Sequence, residues 1–300
     1  MISPNFYSHL SNLFESSDHD CIAERAANYL LNLPSGEMSF DYHSIDSLVE
    51  KALNRYFIKM EKVLGSETSY LGRLYATKHG FTLKIRQDIP PFSFRFVEAH
   101  ELAHTLAYNR EITPPQRLFP NSRIEENLCD YTARHILLPE IFVGNFLDAI
   151  VAEDTGVRID LIMRLSTTYA VKPWQIVRRI CERKRNNIDA FVGLLWRKES
   201  EDIMRIVEAV NPRGIFIPIR DRSFKGEQVN QAPWDALRSS AEIHDVYESN
   251  IGSLSGRLRS TSFSTQFTAQ FDPKHVIQLI YLEDLHQQMI RKWRKSRTIP

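Results

Sequence analysis

Cysteine is scarce in this chain: Cys21, Cys129 and Cys181 are the three present, odd in number and far apart. That count and scatter rule out a disulfide-stapled scaffold, and free thiols in a reducing compartment are expected. An excess of charge of one sign is missing too. Lys and Arg number 38 against 37 Asp and Glu, for a formal net charge of +1. Bulk basicity therefore gives no argument for nucleic acid, and only local patches keep that possibility open. No apolar run approaches the ~20 residues needed to span a bilayer. Met1–Asp20 is polar and acidic, with no basic stretch leading into an apolar one, so no signal peptide is expected. Internal repeats and low-complexity segments are also lacking. A cytoplasmic protein with no membrane partner is the expectation, and its length is enough for two or three domains with a core of their own.

What is present is periodicity that changes along the chain. Cys21–Leu33 and about Ser44–Tyr56 have helical spacing of apolar residues, the first closed by Pro34-Ser35-Gly36. Tyr70–Thr77 and Phe81–Arg86 are strand-like and joined at His79-Gly80, as in a hairpin. After Pro90-Pro91, the segment Phe92–Tyr108 reads as one amphipathic helix with Ser93 as its N-cap. Ser122 followed by Glu125 forms a capping-box pattern that opens another helix, stopped at Pro139. Two short helical patterns flank Ala170 between about Asp160 and Arg185. Beyond Asn186 the texture becomes strand-like: Phe191–Trp196, Gly214–Ile219, Ser262–Phe271 and Val276–Leu282, with a helix expected over Asp235–Glu248. The expected class is α+β, organised as 1–145, a helical piece 146–188, and a C-terminal α/β domain 189–300.

The chemistry concentrates at His100-Glu101-Leu102-Ala103-His104. Histidines four apart lie one above the other on a helix face, so both imidazoles can reach one Zn²⁺. Glu101, one step round, can meet a water there and act as general base. A hydrolytic zinc site takes three protein ligands. A third His six residues after His104 is excluded, because Arg110 stands there. The remaining source is a carboxylate from the next helix: Glu126 is preferred, and Glu125 is its rival, with a capping position that gives it other work. Asp130, one turn beyond Glu126, is placed to accept the free ring N–H of a ligating His. Tyr108, Tyr131 and His135 are nearby candidates for stabilising an oxyanion, with His135 on an apolar stripe that suits a core residue better; none is assigned.

Two runs carry a family resemblance: Arg-Phe-Val-Glu-Ala-His-Glu-Leu-Ala-His at Arg95–His104, and Glu-Asn-Leu-Cys-Asp-Tyr-Thr-Ala-Arg-His-Ile-Leu-Leu-Pro at Glu126–Pro139. Together they resemble the ImmA/IrrE family of bacterial zinc metallopeptidases. Ala103 stands where that family has Gly, and Cys129 where it has Ala. The match covers about Cys21–Pro139. It implies a small gluzincin-like domain of helices and a short antiparallel sheet, with Zn²⁺ as cofactor. It also implies selective cleavage of a protein, in this family typically a helix-turn-helix repressor, to switch on stress-response or mobile-element genes. Leu71, Gly72, Arg73 and Leu74 would belong to an edge strand on which an extended substrate pairs; an ordinary covered edge is the alternative.

The segment Leu165–Ile180 has helix-turn-helix spacing, with small Ser166 and Ala170 and a basic far end that includes Arg178, Arg179, Arg183, Lys184 and Arg185. Arg178 and Arg179 are candidates for contact with nucleic acid or an acidic partner. The competing reading is a solvated helix end in a helical cap. Apolar and polar residues alternate over Phe263–Phe271, as in a sheet open on one face, and some relatives of that family carry a sensory domain at this place. The basic run Arg291–Arg297 reads as a solvated tail.

Overall fold

The computed structural model describes residues 5–32, 42–140, 143–144, 157, 159–182, 191–198, 203–210, 223–225, 246–249, 263–268 and 275–282. Gly214–Ile219, Arg183–Arg185, Arg291–Arg297 and most of Asp235–Glu248 lie outside them. The class is α+β. The chain forms two compact units: Met1–Phe142 with Thr167–Val171, and Val143–Ser166 with Lys172–Pro300. The segment 146–188 is thus shared between the two units.

In the first unit, helix α1 (Phe6–Leu13) starts at Asn5, whose side chain accepts from the Ser8 N–H. Asp18 does the same for α2 (His19–Leu31), accepting from Asp20 and Cys21, and α2 ends on Asn32 in the left-handed conformation. Helix α3 (Tyr42–Arg55) follows. A three-stranded sheet has the order β1-β3-β2. Strands β2 (Gly72–Thr77) and β3 (Gly80–Arg86) form the expected hairpin. Strand β1 (Ile58–Val63) was not legible beforehand and pairs parallel to β3, so the sheet is mixed, not the purely antiparallel one expected. Only Ile58 of its six residues is buried, which weakens any periodic signal. Strand β2 is an edge of this sheet.

Helix α4 (Pro91–His104) carries the motif. Pro90 is its N-cap and Pro91 its first residue, so entry is set by proline geometry. Ser93 lies inside the first turn and is buried, not at the cap. The helix stops at His104 and continues as a 3-10 turn, Thr105–Ala107, into the short strand β4 (Tyr108–Asn109), which pairs with β5 (Gln116–Arg117). Helix α5 (Arg123–Leu137) starts as its sequence demands, with the Ser122 hydroxyl accepting from the Glu125 N–H at 3.1 Å. It packs against α2 and α4, and Ile22, Leu30, Leu102, Leu128 and Ile136 bury their side chains almost completely.

In the second unit, strands β6 (Phe191–Lys198), β7 (Ile203–Val210), β8 (Ser223–Lys225), β9 (Val246–Ser249), β10 (Phe263–Thr268) and β11 (His275–Leu282) form an antiparallel sheet in the order β8-β7-β6-β11-β10-β9. Val246–Glu248, expected at the end of a helix, is extended. The helix Pro173–Glu182 packs on β7. Gly193 lets it approach β6, since a Cβ there would meet Val177 Cγ1 at 2.7 Å. The preceding helix, Ile159–Tyr169, is divided between the two units and ends at Ala170 with φ of 47°, a left-handed turn residue. No described helix is long and apolar enough to cross a membrane.

Candidate metal centre

The C-terminal half of α4 is buried nearly all round: Ala99, Glu101, Leu102, Ala103 and His104 all lie inside. A carboxylate and an imidazole in such a place are costly unless they are partnered. Three side-chain atoms converge there. Nε2 of His100 and Nε2 of His104 are 3.1 Å apart, and Glu126 Oε2 lies 3.2 Å from the first and 3.6 Å from the second. Donors bound at zinc distances in a tetrahedral arrangement lie roughly 3.3 Å from one another. The triangle therefore has the size and the N,N,O donor set that zinc takes.

The other face of each imidazole is held by a carboxylate. His100 Nδ1 is 2.9 Å from Asp130 Oδ1, and His104 Nδ1 is 2.7 Å from Glu125 Oε1. Both contacts direct the Nε2 atoms toward the shared point. Glu125, the rival for third ligand, lies on the Nδ1 side of His104 and is fully buried, its carboxylate gripped by Arg117 Nη2 at 2.5 and 2.6 Å. It orients an imidazole instead of joining the triangle. Cys129 Sγ sits 3.5 Å from the same Nδ1, which also brings His104, Glu125 and Cys129 within 4.8 Å of one another. Burial pushes the Cys129 thiol up to about 11, so it is neutral at pH 7, and Glu125 is already engaged by Arg117. In that second group the carboxylate is shared with Arg117 and the thiol with the His104 ring, a hydrogen-bonded support for His104.

Desolvation alone would lower the pKa of His100, but Asp130 and Glu126 outweigh it and raise the group to about 9. His104 is desolvated as well, and its hydrogen bonds to Cys129, Glu125 and Glu126 drive it upward. Hydrogen bonds from both imidazoles hold Glu126 well below the usual carboxylate range. Desolvation raises Glu101, against the opposing pull of His104, His100 and the Leu74 backbone N–H. A carboxylate made more basic, with an oxygen within 4.8 Å of both ring nitrogens, is suited to taking a proton from a water at this place.

The site opens into a cleft of about 680 Å³ bordered by β2 and by the rings of Tyr70, Tyr75 and Tyr108. Leu71, Gly72, Arg73 and Leu74 all line it. Gly72 is needed where β2 crosses α4, because a Cβ would meet Val97 Cγ1 at 2.1 Å. Of the three oxyanion candidates, Tyr108 lines the cleft, with its hydroxyl 3.3 Å from Arg117 Nη1. His135 is buried and bonded to Asp20 at 2.8 Å, a core role. Tyr131 packs under Arg134 instead of lining the cleft. Arg117 had no legible signal: it reaches Glu125 only because the β4–β5 pairing returns the chain there.

Arg178 and Arg179 belong to the second unit. Arg179 is fully buried, and Arg178 is ion-paired with Glu208, which also accepts from Trp174 Nε1 at 2.7 Å. Burial of Arg179 and the pairing of Arg178 with Glu208 give both a packing role within the second unit.

No family model and no curated protein matches the chain. Among solved structures it is similar to a Mycobacterium tuberculosis transcriptional regulator, at 16% identity over 94% of this chain and 94% of that one, with a TM-score of 0.51. At that identity the likeness speaks for the fold alone.

Proposed function

We propose that the protein is a zinc-dependent endopeptidase of the ImmA/IrrE kind, with a gluzincin-like first unit. It would make selective cuts in a protein substrate, a helix-turn-helix repressor being the expected class. The observation that carries this reading is the triangle of His100 Nε2, His104 Nε2 and Glu126 Oε2, with Glu101 beside it and an edge strand above. Held by those three atoms, zinc would supply Lewis acidity toward a water and a peptide carbonyl. Glu101 takes a proton from the water and delivers it to the departing amine nitrogen, a role that its burial and raised pKa favour. Asp130 and Glu125 keep the imidazoles aimed. Strand β2, an edge of its sheet, would pair with an extended segment, and Tyr108, which lines the cleft, would donate its hydroxyl to an oxyanion.

A second reading is a DNA-binding regulator that uses the helix pair around Ala170, whose left-handed turn suits a helix-turn-helix. Its weakness is the placement of Arg178 and Arg179. Glu101→Gln separates the two: it should retain zinc and fold yet abolish cleavage of a co-expressed candidate helix-turn-helix repressor, along with the transcriptional response. An intact response in that variant would end the proteolytic reading. Duplex-DNA binding that falls steeply with salt would support the regulator instead.

A further inference from the structure

A second hollow in the first unit, about 870 Å³, opens where the C-terminal ends of α2 and α3 meet the β2–β3 turn and the loop after β4. Its charge is one-sided. Arg55, Lys78 and Arg110 line it, with His79 on the turn, and none of its described lining residues is Asp or Glu. In a chain of net charge +1, that is a local concentration of cations. Arg110 is fixed before any ligand arrives: its guanidinium lies 4.3 Å over the Tyr56 ring and donates to Tyr29 Oη at 3.1 Å. A planar guanidinium held in this way is organised to receive a carboxylate edge-on.

The rim is apolar. Phe57 is 73% exposed and Tyr29 46%. Phe57 adopts φ of 52°, an unfavourable backbone for an aromatic residue. It is locked there because its carbonyl accepts from Phe81 N at 2.9 Å and its backbone presses on Gly80, where a Cβ would come within 2.6 Å of that oxygen. Strain at an exposed ring points to a use for the ring.

The hollow lies next to the cleft along β2. Ala76 borders the cleft, Lys78 borders the hollow, and Thr77 between them ends β2. Phe81 of the hollow and Tyr108 of the cleft pack edge to face, with centroids 5.2 Å apart, as the wall between the two. A peptide paired along β2 and running past Thr77 would arrive beside Lys78 and Phe57.

We infer that this hollow is an exosite that takes an acidic segment of the protein substrate, in which a carboxylate meets Arg110 and Lys78 and a neighbouring aromatic or aliphatic side chain lies on Phe57. The assignment of that segment to a substrate rests on the peptidase reading; the site's preference for an acidic-apolar peptide does not. The probe is a short fluorescein-labelled peptide with glutamates flanking phenylalanine, titrated into the full-length protein and followed by anisotropy. Arg110→Ala and the charge reversal Lys78→Glu should each weaken binding about tenfold or more. Lys78 is exposed on a turn, so its reversal does not threaten folding. Glu101→Gln should bind the probe as the parent does, which keeps failure of the peptidase reading separate from failure of the exosite. Equal binding of a peptide with lysine in place of glutamate, or unchanged binding by Lys78→Glu, would overturn the proposal. So would absence of peptide binding combined with tight binding of adenosine monophosphate, which would make the hollow a small-molecule site.

Discussion

Glu125 Oε1 stands 2.7 Å from Nδ1 of His104, and the Glu125 side chain has no exposed surface at all. Its negative charge is compensated by Arg117 on one side and the imidazole on the other, which makes an Arg117–Glu125–His104 chain that ends at the candidate metal position. Removing one member leaves a buried charge without its partner. Glu125→Ala should therefore cost about 3–5 kcal/mol of folding stability, and a milder Glu125→Gln should weaken zinc by roughly 10–100-fold. Chemical denaturation and competition against a chromophoric chelator read the two effects separately.

Zinc uptake should release protons. His100 is raised to about 9, so in the metal-free protein it is protonated at neutral pH and must lose that proton to become a ligand. Affinity should fall as pH falls. Calorimetric titration in buffers of different ionisation enthalpy gives the number released, and Asp130→Asn, which removes an anion that holds the proton, should reduce it. An unchanged count in Asp130→Asn would contradict the hydrogen bond as the cause.

Glu98 provides a pH test of stability outside the ligand set. Burial is the main cause that lifts its carboxyl to about 7, against the opposing charges of Arg95 and Lys62. In the unfolded chain it ionises near its ordinary value of 4.5. Between those two pH values the folded state holds more protons than the unfolded one, so stability from this group is full below about 4.5 and is lost as pH rises through about 7. Glu98→Gln should remove that loss, so that the melting temperature of the variant exceeds the parent's at pH 8 by more than it does at pH 4.5.

Gly72→Ala should cost about 1–3 kcal/mol through overpacking, since Val97 is buried and has little freedom to yield. Because the strain falls where β2 crosses α4, cleavage should suffer at temperatures well below the melting point. A thermal scan beside an activity profile would show whether the strand is displaced before the fold is lost.

Much of the scaffold was legible because its signals are local. The Ser122 cap, the His79-Gly80 hairpin and the apolar spacing of α2 and α3 each depend on residues a few positions apart. Ser93 misled because proline at the start of α4 makes a side-chain cap unnecessary. Strand β1 was invisible since it buries little beyond Ile58 and gains its order from parallel pairing with β3. The short α1 depends on Phe6 and Leu10 meeting a core assembled from elsewhere.

The sequence by itself determined the pair His100 and His104 with Glu101 between them, because helical spacing alone aligns them. It also placed Glu126 and Asp130 one turn apart on the next helix. Only the tertiary structure decided which carboxylate meets which ring nitrogen. Glu125 and Glu126 are adjacent in sequence, and their roles differ because α5 packs on α4 at one rotation, turning Glu126 to the Nε2 side and Glu125 toward Nδ1 and Arg117. The fate of Arg178 and Arg179 was decided in the same way: their chemistry is readable as basic, but burial and pairing with Glu208 follow from where the sheet lies. Local spacing fixes what one helix presents, whereas long-range packing chooses its partner.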